Sequence, residues 1–351
     1  MTVLSYKCRS CGGELTFSPQ SQKFECGYCG SSYLKSELEP DTVETAQSSS
    51  DSTAESTNQS TAFDAVLYNC PSCGAEIVTD STTAATYCFY CHNPVVISGR
   101  LGGEYAPSRL IPFKLDRSKA IKRFVEWTRT KFFLPKDFFS EKSIEKLTGV
   151  YFPYWVIDCD ADATLVMNAK TVRTWTTGNT RHTETSNYKV LREGEVHLED
   201  MIKTALNKAD KKLIESVQPF DSSKMEKFSM TYLSGFQAEK RDVESAEIST
   251  ETENDVKRYC ENLLSDTVTG YSSKTTEQSG TTINKIDYEY CLLPVWVMTY
   301  KYKGTDYFYA MNGQSGKICG KLPVDKLKLF VFSGILSAAV GLIGMIGGYL
   351  I

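Results

Sequence analysis

Paired cysteines, alternating apolar residues after position 150 and an uncharged run at the C-terminus predict a multidomain chain. The expected parts are two small four-cysteine zinc ribbons, a mixed α+β body with antiparallel sheet, and one C-terminal transmembrane helix. A chain of 351 residues has room for roughly two to three folded units of about 100–200 residues each. Hydrophobic residues make up 41%, charged residues 23%, and the net charge is −4. Those averages exclude collagen, a wholly disordered chain and a multi-spanning membrane protein. They also exclude a strongly cationic nucleic-acid binder.

The chain holds twelve cysteines but only three histidines. Eight of the cysteines form four Cys-x-x-Cys pairs: Cys8/Cys11, Cys26/Cys29, Cys70/Cys73 and Cys88/Cys91. Fourteen residues separate Cys11 from Cys26, and fourteen separate Cys73 from Cys88, so the spacing recurs at an offset of 62. Ser10, Gly12, Glu14 and Tyr28 meet Ser72, Gly74, Glu76 and Tyr90 at the same offset. One small module is duplicated. Two Cys-x-x-Cys knuckles supply four thiolates, which complete a tetrahedron around Zn2+ and leave no open position, so two structural sites are expected. Gly12 and Gly74 follow a second cysteine, where a positive φ is often needed. A module of about 35 residues buries too little core to fold alone, so the metal would supply its stability. The apolar core of a secretory leader is missing from residues 1–9, which argues against a disulfide framework. Cys159, Cys260, Cys291 and Cys319 show no pairing pattern and read as free, mostly buried thiols.

The modules are expected at 1–35 and 66–101. Between them, 36–65 is a Ser/Thr-rich linker whose 36–64 portion carries seven acids and no base, the composition of a self-repelling disordered tether. The net charge of −4 therefore hides slightly basic folded parts.

Residues 102–328 read as one α+β body on the cytoplasmic side. Asp116 or Ser118 can cap a helix reaching 131, with Ala120, Ile121, Phe124, Val125 and Thr128 on one face. A short helix is expected from 140 or 143 to 147, closed by Gly149. Then the period changes to two. Strands are expected at 150–158, 161–167, 171–177, 181–191 and 195–198, broken at Gly178–Asn179 and Glu193–Gly194. A helix at 210–217, a strand at 230–238 and a helix at 244–264 follow. The second helix has Ile248, Val256, Tyr259, Cys260 and Leu263 as its apolar positions. Strands at 275–290, 292–302 and 307–311 lead through a turn at 312–316 to a last extended stretch at 317–322. Pro153-Tyr154-Trp155-Val156 is echoed by Pro294-Val295-Trp296-Val297 at an offset of 141; such aromatic stretches are mostly core. No phosphate-binding loop, nucleophile elbow or His-Glu-x-x-His signature occurs, and His182 and His197 lack an obvious Cys or Ser partner. The expectation is a protein that is not an enzyme.

Residues 329–351 contain no charge. As a helix of 1.5 Å rise they would span roughly 34 Å, enough for a bilayer core of about 30 Å. Lys321, Lys326 and Lys328 precede the run, which by the positive-inside rule predicts a single-pass anchor in the cell membrane with the bulk of the chain cytoplasmic. Gly334, Ser337, Gly341, Gly344 and Gly348 fall on one stripe, the pattern of transmembrane helix packing and of homo-oligomers.

The knuckles CRSCGGEL and CPSCGAEI, with IPFKLDRSKAIKRF, FPYWVID and LPVWVMTYKYKGTDYFYAMNGQSGK, resemble bacterial YdjG-type membrane-anchored double zinc-ribbon proteins. Such proteins are often labelled TFIIB-type zinc-ribbon or helicase-like. The resemblance covers most of the chain. It implies partners among other membrane-associated proteins, of the phage-shock-protein-A and SPFH-domain types, and a role in membrane protection or envelope stress. The expected function is a zinc-ribbon adaptor or scaffold that docks protein partners at the cytoplasmic membrane face. The alternative is a membrane-tethered, transcription- or replication-type nucleic-acid-binding ribbon. Phosphate binding needs several cations per module, yet 1–35 has four basic and two acidic residues and 66–101 has one and two. The alternative is the weaker, and nucleic acid is not an expected partner.

Overall fold

The computed structural model describes residues 3–4, 6–38, 65–69, 76–80, 83–87, 94–97, 101, 105–135, 138, 147–207 and 211–349. Residues 39–64 of the linker expected at 36–65, the cysteines Cys70, Cys73, Cys88 and Cys91, and the short helix before 147 lie outside them, while 36–38 belong to a helical turn and 65 starts a strand. The chain divides into two compact units. The first contains Met1–Phe152, Lys208–Lys240 and Leu292–Ile351, and the second Pro153–Asn207 and Arg241–Cys291.

In the first unit the N-terminal cysteine module is a three-stranded antiparallel sheet, β2 (Leu15–Ser18), β3 (Lys23–Cys26) and β4 (Ser32–Tyr33), followed by one helical turn, α1 (Lys35–Leu38). A separate hairpin pairs β5 (Ala65–Asn69) with β6 (Glu76–Asp80). The larger sheet starts at β1 (Val3–Leu4), which pairs with β8 (Pro94–Ile97). It continues through β7 (Thr83–Tyr87) and β13 (Gln237–Glu239) to the start of β10 (Thr148–Thr177). A further part pairs the end of β14 (Ser273–Tyr302) with β15 (Thr305–Asn312), and that with β16 (Ile318–Gly320). Two short strands, β9 (Arg109–Leu110) and β12 (Glu226–Lys227), pair with each other. Helix α2 (Arg117–Arg129) is capped by Asp116, whose carboxylate accepts the Lys119 amide at 2.7 Å, and it buries Ala120, Phe124 and Thr128. The helix expected at 210–217 is the short α3 (Lys211–Ser216). Phe113 joins Phe236, Tyr151 and Trp296 into one aromatic core, and the Trp296 indole donates to the Leu115 carbonyl at 3.2 Å.

In the second unit β10 and β11 (Thr180–Thr204) form a long antiparallel hairpin closed by Gly178 at φ 61°. From Cys159 to Ala169 every second residue of β10 is buried. Against that face lie Val256, Cys260 and Leu264 of α4 (Ser245–Asp266), whose N-terminus is closed by a reciprocal Glu244/Glu247 capping box. Trp155 is buried and donates its indole N–H to the Val243 carbonyl at 3.0 Å.

Several expectations change. The strands expected at 150–158, 161–167 and 171–177 are one continuous β10 of 30 residues, and those expected at 275–290 and 292–302 are one β14. Gly194 does not end β11, because it stays paired with Ala163 and has no neighbour within 4 Å of a Cβ. The strand expected at 230–238 is mostly a 3-10 turn, Met230–Leu233, capped by Ser229 and turned by Gly235 at φ 94°, and only β13 is extended. On α4, Tyr259 and Leu263 are exposed, and Thr252 and Leu264 take the buried positions instead.

The largest correction concerns the C-terminus. Residues Lys326–Tyr349 do form a helix, α5. Its start is held by Lys328, which donates to the Leu134 carbonyl at 2.6 Å, and by Phe332 against Phe132 and Phe133. Yet among the described residues no helix is long and apolar enough to cross a membrane. The transmembrane anchor and the single-pass placement drawn from it do not stand.

Candidate metal centre

The cysteines of the first module sit at two turns built alike. In the first, the Cys8 amide donates to the Gly13 carbonyl (2.6 Å) and the Gly12 amide to the Cys8 carbonyl (2.8 Å). In the second, the Cys26 amide donates to the Ser31 carbonyl (2.9 Å) and the Gly30 amide to the Cys26 carbonyl (3.0 Å). Gly12 and Gly30 have φ 74° and 73°, which a residue without Cβ adopts at no steric cost. The expected left-handed Gly12 is thus present, and Gly30 repeats it. Gly13 is fixed by space: a Cβ there would lie 2.6 Å from the Tyr28 ring and 3.2 Å from the Cys26 sulfur.

The two turns bring Cys8, Cys11, Cys26 and Cys29 together, with all four sulfurs within 4.8 Å of one another. Cys8 and Cys29 Sγ are 3.6 Å apart, and Cys11 and Cys26 Sγ 3.5 Å. Four thiolates bound at about 2.3 Å in a tetrahedron would stand about 3.8 Å apart, so the cluster is close to the size of a metal tetrahedron. These four cysteines could hold a metal ion. Cys8 and Cys26 are buried while Cys11 and Cys29 are exposed.

Three hydroxyls surround two of the sulfurs. The Tyr33 oxygen is 3.3 Å from Cys8 Sγ and 2.8 Å from Ser10 Oγ. Ser31 Oγ is 3.2 Å from Cys29 Sγ and 3.4 Å from Ser10 Oγ. The Ser10 amide also donates to Cys8 Sγ at 3.4 Å. The Tyr33 hydrogen bond, aided by the Cys11 and Ser10 amides, lowers the Cys8 thiol to about 6. Hydrogen bonds from the Ser31 hydroxyl and amide lower Cys29 as well. Cys11 goes the other way, to about 12: the Gly13 amide lowers it, but hydrogen bonding with the Cys29 and Cys26 thiols outweighs that. Thiols this close share protons until a cation replaces them. Sequence reasoning grouped these four cysteines and missed Tyr33 and Ser31, which no spacing rule singles out.

The module is fastened to the body of its own unit. The Phe17 ring lies 5.0 Å from Tyr232 and 5.3 Å from Phe24. The Phe17 amide donates to the Ser234 carbonyl (2.9 Å), the Ser234 hydroxyl donates to the Leu15 carbonyl, and the Gln22 amide side chain donates to the Phe113 carbonyl (2.9 Å).

The second module's cysteines lie outside the described residues, but the strands around them are described. Lys7 bridges Glu14 in the first copy, and Asn69 pairs with Glu76 in the second. Phe24 with Tyr33 and Glu25 with Ser32 become Thr86 with Val95 and Tyr87 with Pro94. Each pair is displaced by 62, so the duplication extends to backbone register. The second copy also meets the segment that holds the first: Ala85 of β7 pairs with Ala238 of β13, and the Tyr87 hydroxyl donates to the Gly235 carbonyl. Both copies therefore attach to residues 230–239.

Of the other expected features, Cys159, Cys260 and Cys291 are buried and in no disulfide, and Cys319 is half-buried and donates its thiol to the Ser216 carbonyl at 2.9 Å. His197 pairs with Asp160 at 2.7 Å on an exposed strand face, and that hydrogen bond raises the imidazole above its ordinary value. The His182 ring stacks on Trp175.

Comparison with known proteins adds one relative. The chain is similar to a Bacillus subtilis protein. That protein of strain 168, "Uncharacterized protein YdjG", is 28% identical over 337 residues, covering 95% of this chain and 94% of its own length. The resemblance to YdjG seen in the sequence therefore runs nearly from end to end. No family model matches the chain, and no solved structure matches it.

Proposed function

We propose that the chain is a double zinc-ribbon adaptor that docks protein partners and carries out no catalysis. The observation that carries this reading is the Cys8/Cys11/Cys26/Cys29 cluster, whose sulfurs lie within 4.8 Å of one another. Four thiolate ligands suit Zn2+ and close its coordination shell, which is the arrangement of a structural site. Cys70, Cys73, Cys88 and Cys91 would form the second site, supported by the common strand register. One side of the first module is taken up by Tyr232, Ser234 and Phe113. Tyr28 (78% exposed) and Leu34 (49%) remain open to a partner on the rest of it. The resemblance stated above suggests phage-shock-protein-A-like or SPFH-domain proteins as the partners to look for.

The experiment has two parts. Elemental analysis of the purified chain is expected to give two zinc ions per chain, falling to one in the Cys8→Ser/Cys11→Ser variant. Affinity capture with Tyr28→Ser/Leu34→Ser is expected to lose partners that the parent chain retains. A chain without zinc sinks the metal assignment, and an unchanged captured set sinks the docking surface.

A further inference from the structure

We propose that two copies of this chain join through the open edge of β11, strand against antiparallel strand, across a two-fold axis at Leu191. Among the described residues β11 pairs with β10 alone, so its other side faces no strand. An open edge is a template for another chain, and folded proteins usually blunt one with a bulge, a proline or an early stop. From Thr180 to Leu198 β11 has none of these: its register with β10 is unbroken and the stretch contains no proline. In the middle stands Leu191, an apolar side chain 55% exposed. The Arg192 guanidinium donates to the Leu191 carbonyl at 2.9 Å, a place that an amide of a second strand would take over.

The occupant is a second copy because this edge complements itself. A two-fold axis at Leu191 sets residues equally far before and after it opposite each other. Lys189 then meets the partner's Glu193, Glu193 meets the partner's Lys189, and Leu191 meets its own counterpart. These three stand on the sheet face away from α4, opposite Asn168, Thr164 and Val166 of β10. On the face shared with α4, Tyr188 (45% exposed) comes opposite the partner's Gly194, where a Cβ would meet nothing within 4 Å. Opposite charges directly across a ladder attract, and an aromatic ring laid over a glycine covers bare backbone. Symmetry supplies each pair twice. Neighbouring registers lose this match: an axis at Arg192 sets two guanidinium groups against each other, and one at Val190 leaves Lys189 facing Leu191. Lys189 also pairs with Glu277 at 2.9 Å, but both side chains are exposed, so trading that bond for the partner's Glu193 costs little. Such a contact uses the same patch on both copies and closes at two, so it does not grow into a fibre.

The test is sedimentation of the full chain over a range of concentrations. The parent is expected to pass from one copy per particle to two as concentration rises. Lys189→Glu and Glu193→Lys, each alone, set like charges opposite each other twice and are expected to weaken association roughly tenfold. Mixed together, the two variants restore both opposite-charge pairs and are expected to form a mixed dimer as tight as the parent's. A variant that had merely misfolded would not be rescued in this way. A parent that stays monomeric overturns the inference. So does a dimer that neither variant weakens, which places the contact on another surface, and so do variants that fail to associate when mixed. None of these readouts involves metal, so each of those results leaves the zinc reading standing.

Discussion

Lys203 shows how a single residue is settled by neighbours far away in sequence. Its side chain is 12% exposed and lies between Glu251, at 2.9 Å, and Asp255 of α4. Burial alone would lower its affinity for the proton, but the hydrogen bonds to Asp255 and Glu251 raise it above the ordinary lysine value. The folded pKa being raised, the stabilisation is complete below the unfolded value of about 10.4 and is lost as pH climbs through the folded one. Lys203→Met takes the shared cation from Glu251 and Asp255, both on α4, while Arg258 stays paired with Asp255. The expected loss is about 2 kcal/mol, read as a lower urea midpoint at pH 7; an unchanged midpoint would show that the pair is neutral. The sequence around Lys203 gives no hint of this, because Glu251 lies 48 positions on. Trp155 and Trp296, by contrast, were legible as core from their apolar runs. Only their indole partners, the carbonyls of Val243 and Leu115, required the fold.

At the scale of elements, capping and turn chemistry were readable and strand length was not. Asp116 and Glu244 start their helices as the local sequence dictates, since a side chain that satisfies free amides at a helix start acts within one turn. Strand ends depend on what is paired alongside. Gly194 would interrupt an isolated strand, yet Ala163 across the hairpin keeps it in the ladder. The segment 230–238 reads as extended from its apolar residues, but Gly235 and the Ser229 cap fold it into a turn that holds both cysteine modules. Phe17 is the anchor on the first module's side, 4% exposed against Tyr232. Phe17→Ala is expected to cost about 3–4 kcal/mol and to open the module to limited proteolysis while unit two keeps its far-ultraviolet signal. A loss under about 1 kcal/mol would mean that the backbone bonds alone hold the module.

The molecule as a whole has its described four-cysteine cluster in one unit and the long hairpin with α4 in the other. If the metal supports folding, a strong chelator acts on the first unit only. Calorimetry in excess chelator is expected to lower one transition by several degrees and leave the other in place, and a uniform shift would mean that the units melt as one. The sequence by itself determined the duplicated cysteine modules, the four cysteines that meet in the first, the acidic composition between them and the start of each long helix. All of these follow from residue type at short, fixed spacing. Only the tertiary structure decided that the modules attach to residues 230–239, that Tyr33 and Ser31 reach the sulfurs, that separate strands fuse into 30-residue ones, and that the C-terminal helix is not a membrane span among the described residues. Those outcomes depend on partners dozens to hundreds of residues away, and a local pattern carries no information about a contact until the chain has closed the loop that makes it.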